Sequence, residues 1–205
     1  LRPDDSERVR DLKRLESLRA TQQAQAADYF AKVAESWDML RSLHAPEQEV
    51  EEAIVAALAD RTVDLLVDLG TGTGRMLELL ASHYRRGIGI DSSREMIAVA
   101  RSKLASAGIG HAQIRLADIA DLDSGIGGAD VVVIHQVLHY FDDPGRMIGQ
   151  ARRALKPGGE MLIVDLAPHE LEVLRTQHAH RRLGLSDDQM AVWAKAAGID
   201  VVSLK

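Results

Sequence analysis

No cysteine occurs in the 205 residues, so neither disulfides nor thiolate-held metal sites are open to this chain. Long apolar runs are missing too, since none approaches the roughly 20 residues that a bilayer-spanning helix requires. The start at Leu1 is not a Met and shows neither the basic nor the apolar region of a secretory signal; the expected compartment is the cytoplasm. Excess positive charge is absent, with a formal net charge of −6, which removes any whole-chain attraction for nucleic acid. The pairs Arg85-Arg86, Arg152-Arg153 and Arg181-Arg182 are separated by acids and read as solvated faces and helix C-terminal charges. His169, His178 and His180 include a His-x-His pair, but the spacing fits no common zinc site and no metal is expected. These histidines are read as lining one side of a crevice or packing in a surface lid. Aromatics are scarce, at 3%. Tyr29, Phe30 and Trp37 stand together ahead of the main domain, where their rings fill a helix interface or cover a bound ligand.

What is present is an ordinary globular composition, 46% hydrophobic and 27% charged, long enough for one sizeable core plus an appendage. Residues from about Asp4 to His44 hold no Pro or Gly and are rich in Ala, Arg, Glu, Gln and Leu, which predicts long helix. Val9, Leu12, Leu15 and Leu18 form one narrow apolar seam that a small domain cannot cover at every turn. The seam is expected to pair with a second copy, making a homodimer, or to pack on a domain that precedes it. Pro46 opens another helix, with Val50, Ile54, Val55 and Leu58 on its apolar face. The chain thus divides into a helical extension over 1–45, serving as linker, dimerisation element and lid, and a ligand-binding domain over 46–205.

From Val63 onward, short β-branched runs alternate with helical stretches. Strands are predicted at 63–68, 86–91, 112–117, 129–135, 159–165 and 199–204, and helices near 74–83, 93–107, 144–155 and 186–197. Asp130-Val131-Val132-Val133-Ile134 has the continuous apolar character of a buried parallel strand. The expected fold is α/β, a doubly wound and mostly parallel Rossmann-like sheet. Right-handed crossovers bring the loops after the strands to one edge, so Asp68, Gly70, Asp91, Asp118 and His135 converge on one crevice. The polar connection over 166–185 is a candidate lid.

The most informative stretch is Val67-Asp68-Leu69-Gly70-Thr71-Gly72-Thr73-Gly74-Arg75, a strand entering a glycine turn that opens a helix. Glycines at alternate positions let the backbone pass close under a ligand, and the helix N-terminus offers unpaired N–H groups. A dinucleotide fingerprint would place its third glycine where Arg75 stands, which disfavours a nicotinamide-dependent oxidoreductase. Asp91 ends the next apolar run 21 residues after Gly70, close to the spacing of about 20 between such a turn and a ribose-binding acid.

With these residues the sequence resembles the class I S-adenosylmethionine-dependent methyltransferases, whose first motif is an acid-x-G-x-G-x-G turn and whose second strand ends in an acid. The resemblance continues through Leu116-Ala117-Asp118-Ile119, Asp130 to Leu138 and Leu155-Lys156-Pro157-Gly158-Gly159. It implies S-adenosyl-L-methionine as cofactor, S-adenosyl-L-homocysteine as product and a small-molecule methyl acceptor. The donor's amino acid tail suits Asp68 and the backbone of Gly70, Thr71, Gly72 and Gly74, while Asp91 accepts the ribose hydroxyls. The resemblance further implies that Asp118 and the backbone at Ile119 bracket the adenine amino edge, that Ser92 and Met96 line its face, and that His135 belongs to the cofactor pocket.

Methyl transfer is an in-line displacement, so the protein mainly holds the reactants in near-attack geometry. A base is needed only where the acceptor must lose a proton. His139, in His135-Gln136-Val137-Leu138-His139-Tyr140, is the candidate for that role, with a structural hydrogen-bonding role as its alternative. Absence of cysteine argues against the thiol-relay chemistry of Cys-rich arsenic methylation. Tyr29-Phe30-Ala31, Trp37-Asp38, Leu40 to His44 and His178 to Gly184 resemble a narrower group, bacterial proteins that fuse an ArsR-type winged helix to a class I methyltransferase domain. No winged helix is present here, so no DNA binding is carried over, and the seventh strand usual in the class is not in view. A domain that senses S-adenosylmethionine or S-adenosylhomocysteine for a transcriptional regulator, without turnover, is the alternative reading.

Overall fold

The computed structural model describes residues 3–42, 47–122 and 125–203. The Gly- and Pro-poor opening forms one long helix, α1 (Pro3–Val33), with Pro3 in the first turn, where its missing N–H costs nothing. A 3₁₀ turn (Ala34–Ser36) leads into the short helix α2 (Trp37–Ser42), and α3 (Glu47–Leu58) precedes the sheet. Val9 on α1 is half exposed; the side chains of Leu12, Leu15 and Leu18 lie outside the described residues.

Five strands follow, β1 (Val63–Leu69), β2 (Tyr84–Asp91), β3 (Ala112–Leu116), β4 (Ala129–His135) and β5 (Leu155–Val164). Every pairing is parallel, in the order β3-β2-β1-β4-β5. The intervening helices are α4 (Arg75–Leu79), α5 (Arg94–Ser106) and α6 (Pro144–Ala154), followed by α7 (Glu172–Gln177) and α8 (Asp187–Ala196). Side-chain alternation divides the core into two layers. Leu66, Val131 and Val133 point to the layer with Ile54 and Leu58 of α3 and Ile97 and Leu104 of α5. Val67, Leu69, Val132 and Ile134 point to the layer with Met147, Ile148 and Ala151 of α6. The strand order reverses between β1 and β4, and there the loops after neighbouring strands diverge and leave a crevice.

Three sequence expectations are corrected. The helix expected over 74–83 is short, because the chain turns at Leu80 to reach β2. Strand β5 begins at Leu155, pairing with Ala129, and continues to Glu160 opposite Val131, with an irregularity in register between. No strand forms over 199–203. Ile199 tucks into the core while Val201 and Val202 stay exposed, and a run of β-branched residues without a ladder partner remains coil.

Candidate active site

A cavity of about 850 Å³, counting the space open to solvent, sits at the carboxyl ends of β1, β2 and β4. Asp68, Gly70, Thr71, Gly72, Asp91, Ser92, Met96, Asp118, Ile119 and His135 all line it. Of the predicted cofactor residues only Gly74 does not. A Cβ there would stand 3.2 Å from that of Ala100, so Gly74, at φ 83°, serves the packing of α4 on α5.

The glycine turn is built for close approach. Gly70 has φ 74°, and a Cβ on it would meet Val137 Cγ2 at 2.5 Å. Its N–H groups are less available than the sequence suggests. Gly70 and Thr71 donate to the Ile90 carbonyl at 2.8 and 2.9 Å, Gly74 donates to Thr71 O at 2.8 Å, and Gly72 donates to Asp91 Oδ2 at 2.9 Å. The turn therefore offers a ligand shape and proximity, and the donor cradle expected of these four residues is already committed to the protein.

Asp68 is buried and Asp91 half-buried, and both are oriented. Asp68 accepts the Thr71 hydroxyl at 2.6 Å; burial pushes its carboxyl up to about 7, with Thr71 opposing and the Asp91 charge adding to the rise. Asp91 accepts from Gly72 N and, through Oδ1, from Ser93 N at 2.8 Å. Burial raises its pKa against those backbone bonds. Each oxygen keeps a lone pair for a hydroxyl. Ser93 caps α5 through Met96 N, which fixes Met96 against the cavity, and Asp118 caps the 3₁₀ turn at Ile119–Asp121 by accepting from Ala120 N at 2.8 Å.

The roof comes from the N-terminal helices. Phe30 and Trp37 line the cavity, and Phe30 meets Trp37 and Tyr140 edge-on with ring centroids 5.5 and 4.9 Å apart. Asp38 ties this roof to the glycine turn through Thr73 Oγ1 at 2.6 Å and to α5 through Lys103 at 2.6 Å. Tyr29 is hydrogen-bonded to His178 Nδ1 at 2.8 Å. Thr73, Arg75, Met76, Gln136, Val137, Tyr140 and Phe141 complete the lining; the sequence reading gave none of them a site role of its own, although Thr73 and Arg75 belong to the glycine motif and Gln136, Val137 and Tyr140 to the stretch after β4. Arg75 brings no spare charge, because Glu51 grips its guanidinium at 2.6 and 2.7 Å and Glu78 at 3.2 Å.

His139 stands behind the wall. It is 2% exposed and absent from the lining. Its Nδ1 is 2.6 Å from Asp165 Oδ1, while Nε2 is buried without a partner. Burial works to raise the Asp165 pKa, but the bond to His139 and that residue's charge outweigh it and hold the carboxyl below its usual range. His180 stacks on His139, centroids 4.1 Å apart, and burial with neighbouring histidine charge lowers its pKa to about 3. His180 is therefore neutral at physiological pH. His169 and His180 also each bury one unpartnered ring nitrogen, yet among the described residues no three His, Asp or Glu side chains are grouped to hold a metal.

Residues 67–163 match the family model described as a methyltransferase domain. The chain is 31% identical to an uncharacterised 37.1 kDa transposon protein of Streptomyces fradiae, over 74% of this chain and 48% of that protein. It is 27% identical to a ubiquinone biosynthesis O-methyltransferase of Methylococcus capsulatus, over 82% of this chain and 78% of the relative. Among solved structures, it is similar to a Haloferax volcanii methyltransferase in complex with its methyltransferase activator. That match has a TM-score of 0.69 and 26% identity, and covers 85% of this chain and 77% of the other. The chain thus spans about half the length of the transposon protein and most of the other two.

Proposed function

We propose, from the premise that this chain belongs to the class I S-adenosylmethionine-dependent methyltransferases, that it transfers a methyl group to a small-molecule acceptor in the cavity beneath Phe30 and Trp37. The observation that carries this reading is the convergence of Asp68, the Gly70–Gly72 turn and Asp91 on one cavity. The residues fit the donor. Asp91 holds two fixed oxygens for a ribose diol, buried Asp68 suits the cationic amine of the amino acid tail, and a Cβ on Gly72 would lie 3.6 Å from Trp37 Nε1, in the space under the roof. When bound, the donor would supply an electrophilic sulfonium methyl for in-line displacement by a lone pair of the acceptor, with a neutral thioether as leaving group. The protein excludes water with its aromatic roof and holds the acceptor in line.

We assign His139 as the group that takes the acceptor's proton, with Asp165 fixing the Nδ1–H tautomer. This role requires Nε2 to gain a path to the cavity past the Tyr140 ring, whose centroid is 4.1 Å from that of His139. A sensor without turnover is the second reading, favoured by the burial of His139 outside the lining. Pairing of α1 with a second copy through the Val9 seam completes the proposal; sedimentation beside a Leu12→Glu, Leu15→Glu variant tests it, and monomers in both samples end it. For the binding reading, titration calorimetry should give micromolar affinity for S-adenosylhomocysteine and none for NAD. Preference for NAD overturns it.

A further inference from the structure

The acceptor side of the cavity carries a chemical signature of its own. The chain has two tryptophans, three tyrosines and two phenylalanines; Phe30, Trp37, Tyr140 and Phe141 line this cavity and Tyr29 packs on Phe30 behind it. Trp37, Phe30 and Tyr140 form a continuous edge-to-face series at one side of the cavity, with Phe141 beside them. A chain so poor in aromatics has concentrated them on one ligand surface.

Charge is scarce on that surface. The acids of the lining are Asp68, Asp91 and Asp118, which the methyltransferase reading commits to the donor, and Arg75 is neutralised by Glu51 and Glu78. A carboxylate or phosphate acceptor would find no lysine and no uncommitted arginine in the lining to offset its desolvation, and His135, the histidine of the lining, goes with the cofactor in the methyltransferase reading. A cationic acceptor would face the donor's sulfonium with no uncommitted carboxylate beside it.

Thr71 and Thr73 are bonded to Asp68 and Asp38, and Ser92 and His135 go with the donor in the methyltransferase reading, which leaves Gln136 with the polar ends of Tyr140 and Trp37; the Gln136 backbone is held in the left-handed region at φ 54°. A non-glycine residue is strained there, and such strain collects at sites where the side chain has a task. The Gln136 N–H is anchored to Val164 O at 2.7 Å, which fixes where the side chain leaves the backbone. Its amide makes no hydrogen bond to any described residue, and the residue lines the cavity. Glycine would relax the turn; the chain keeps an amide instead.

Building on the methyltransferase reading, we propose that Gln136 orients the methyl acceptor and that the acceptor is an uncharged, planar aromatic molecule. Its ring lies against the Trp37–Phe30–Tyr140 face and its hydroxyl or ring nitrogen pairs with the Gln136 amide. Gln136 is a positioning and specificity residue. It both donates and accepts, so it serves a neutral hydroxyl without adding charge next to the sulfonium.

The test uses the full chain saturated with S-adenosylhomocysteine, with 2-naphthol as the neutral planar probe and benzoate and phosphoethanolamine as ionised probes. The expected result is that 2-naphthol binds the complex and the ionised probes bind at least tenfold more weakly. Gln136→Gly should weaken 2-naphthol about tenfold, the scale of a lost neutral hydrogen bond, while leaving S-adenosylhomocysteine affinity unchanged and the melting temperature unchanged or higher. That combination separates positioning from structure, since a merely structural Gln136 would not lower probe affinity in a variant that folds as well or better. Gln136→Glu, close in size, should also weaken the probe, because it brings a charge to the apolar face. Equal binding of benzoate, or full retention of 2-naphthol affinity in Gln136→Gly, overturns the proposal while the methyltransferase reading stands. Failure of S-adenosylhomocysteine to bind the wild type overturns both.

Discussion

The β1–β2 side of the crevice and the β4–β5 side are finished to different degrees. On the first, Asp91 accepts two backbone N–H groups, Asp68 accepts the Thr71 hydroxyl and the glycine turn closes on itself. On the second, His139, His169 and His180 each bury an unpartnered nitrogen, and Gln136 and Ala179 hold left-handed backbone without being glycine. An unsatisfied buried polar atom costs about 1–3 kcal/mol. The first side is preorganised for a ligand of fixed shape, whereas the second keeps unpaired buried nitrogens and left-handed backbone that its own contacts do not satisfy.

Disturbing the finished side should have the largest effect. Gly70→Ala places a methyl 2.5 Å from Val137 Cγ2 at φ 74°, and the left-handed penalty and the overpacking together should cost about 2–5 kcal/mol in urea unfolding. A loss under about 1 kcal/mol would show that the turn is not constrained as described. On the other side, His139→Ala should lower turnover about 10²-fold once an acceptor is in hand, with donor affinity nearly unchanged. Normal turnover would leave His139 a structural partner of Asp165 and locate the unpaired nitrogens of this side outside the chemistry.

A smaller effect separates the two acids of the finished side. The Asp68 carboxyl sits at about 7 in the free protein, and a cationic amine binds only its ionised form. Affinity for S-adenosylhomocysteine should therefore fall as pH drops through and below about 7, approaching tenfold per unit, and Asp68→Asn should flatten the profile. The sign for folding is the reverse. Between the usual carboxylate range and about 7 the folded protein holds a proton that the unfolded chain has lost, so this group favours folding more as pH falls. A flat binding profile in the wild type would assign the amine another partner.

The same division decides what the sequence makes legible. Asp68, the glycine turn and Asp91 are readable because a βαβ unit fixes their spacing locally, and each lines the cavity. The availability of the turn's donors is not, since it depends on Ile90 O and Asp91 from the neighbouring strand. The aromatics at 29–37 are legible as a cover or an interface; Phe30 and Trp37 line the cavity and Phe30 packs on Tyr140. Nothing local announces the Gln136 strain or the turning of His139 toward Asp165. Both arise where the chain leaves β4 under contacts from residues 164–166 and 180–182. The missing strand over 199–203 has a similar cause, because propensity supplies no partner.

The most direct measurement is calorimetric titration of S-adenosylhomocysteine into wild type and Asp91→Ala. Loss of the charge-assisted ribose hydrogen bonds should weaken binding by about 1.5–3 kcal/mol in the variant, roughly 10- to 150-fold. Because Asp91 also fixes Gly72 and Ser93, the melting temperature is followed in parallel to establish that the variant is folded. Unchanged affinity in a folded Asp91→Ala protein would place the ribose elsewhere and contradict the account of the cavity at its centre.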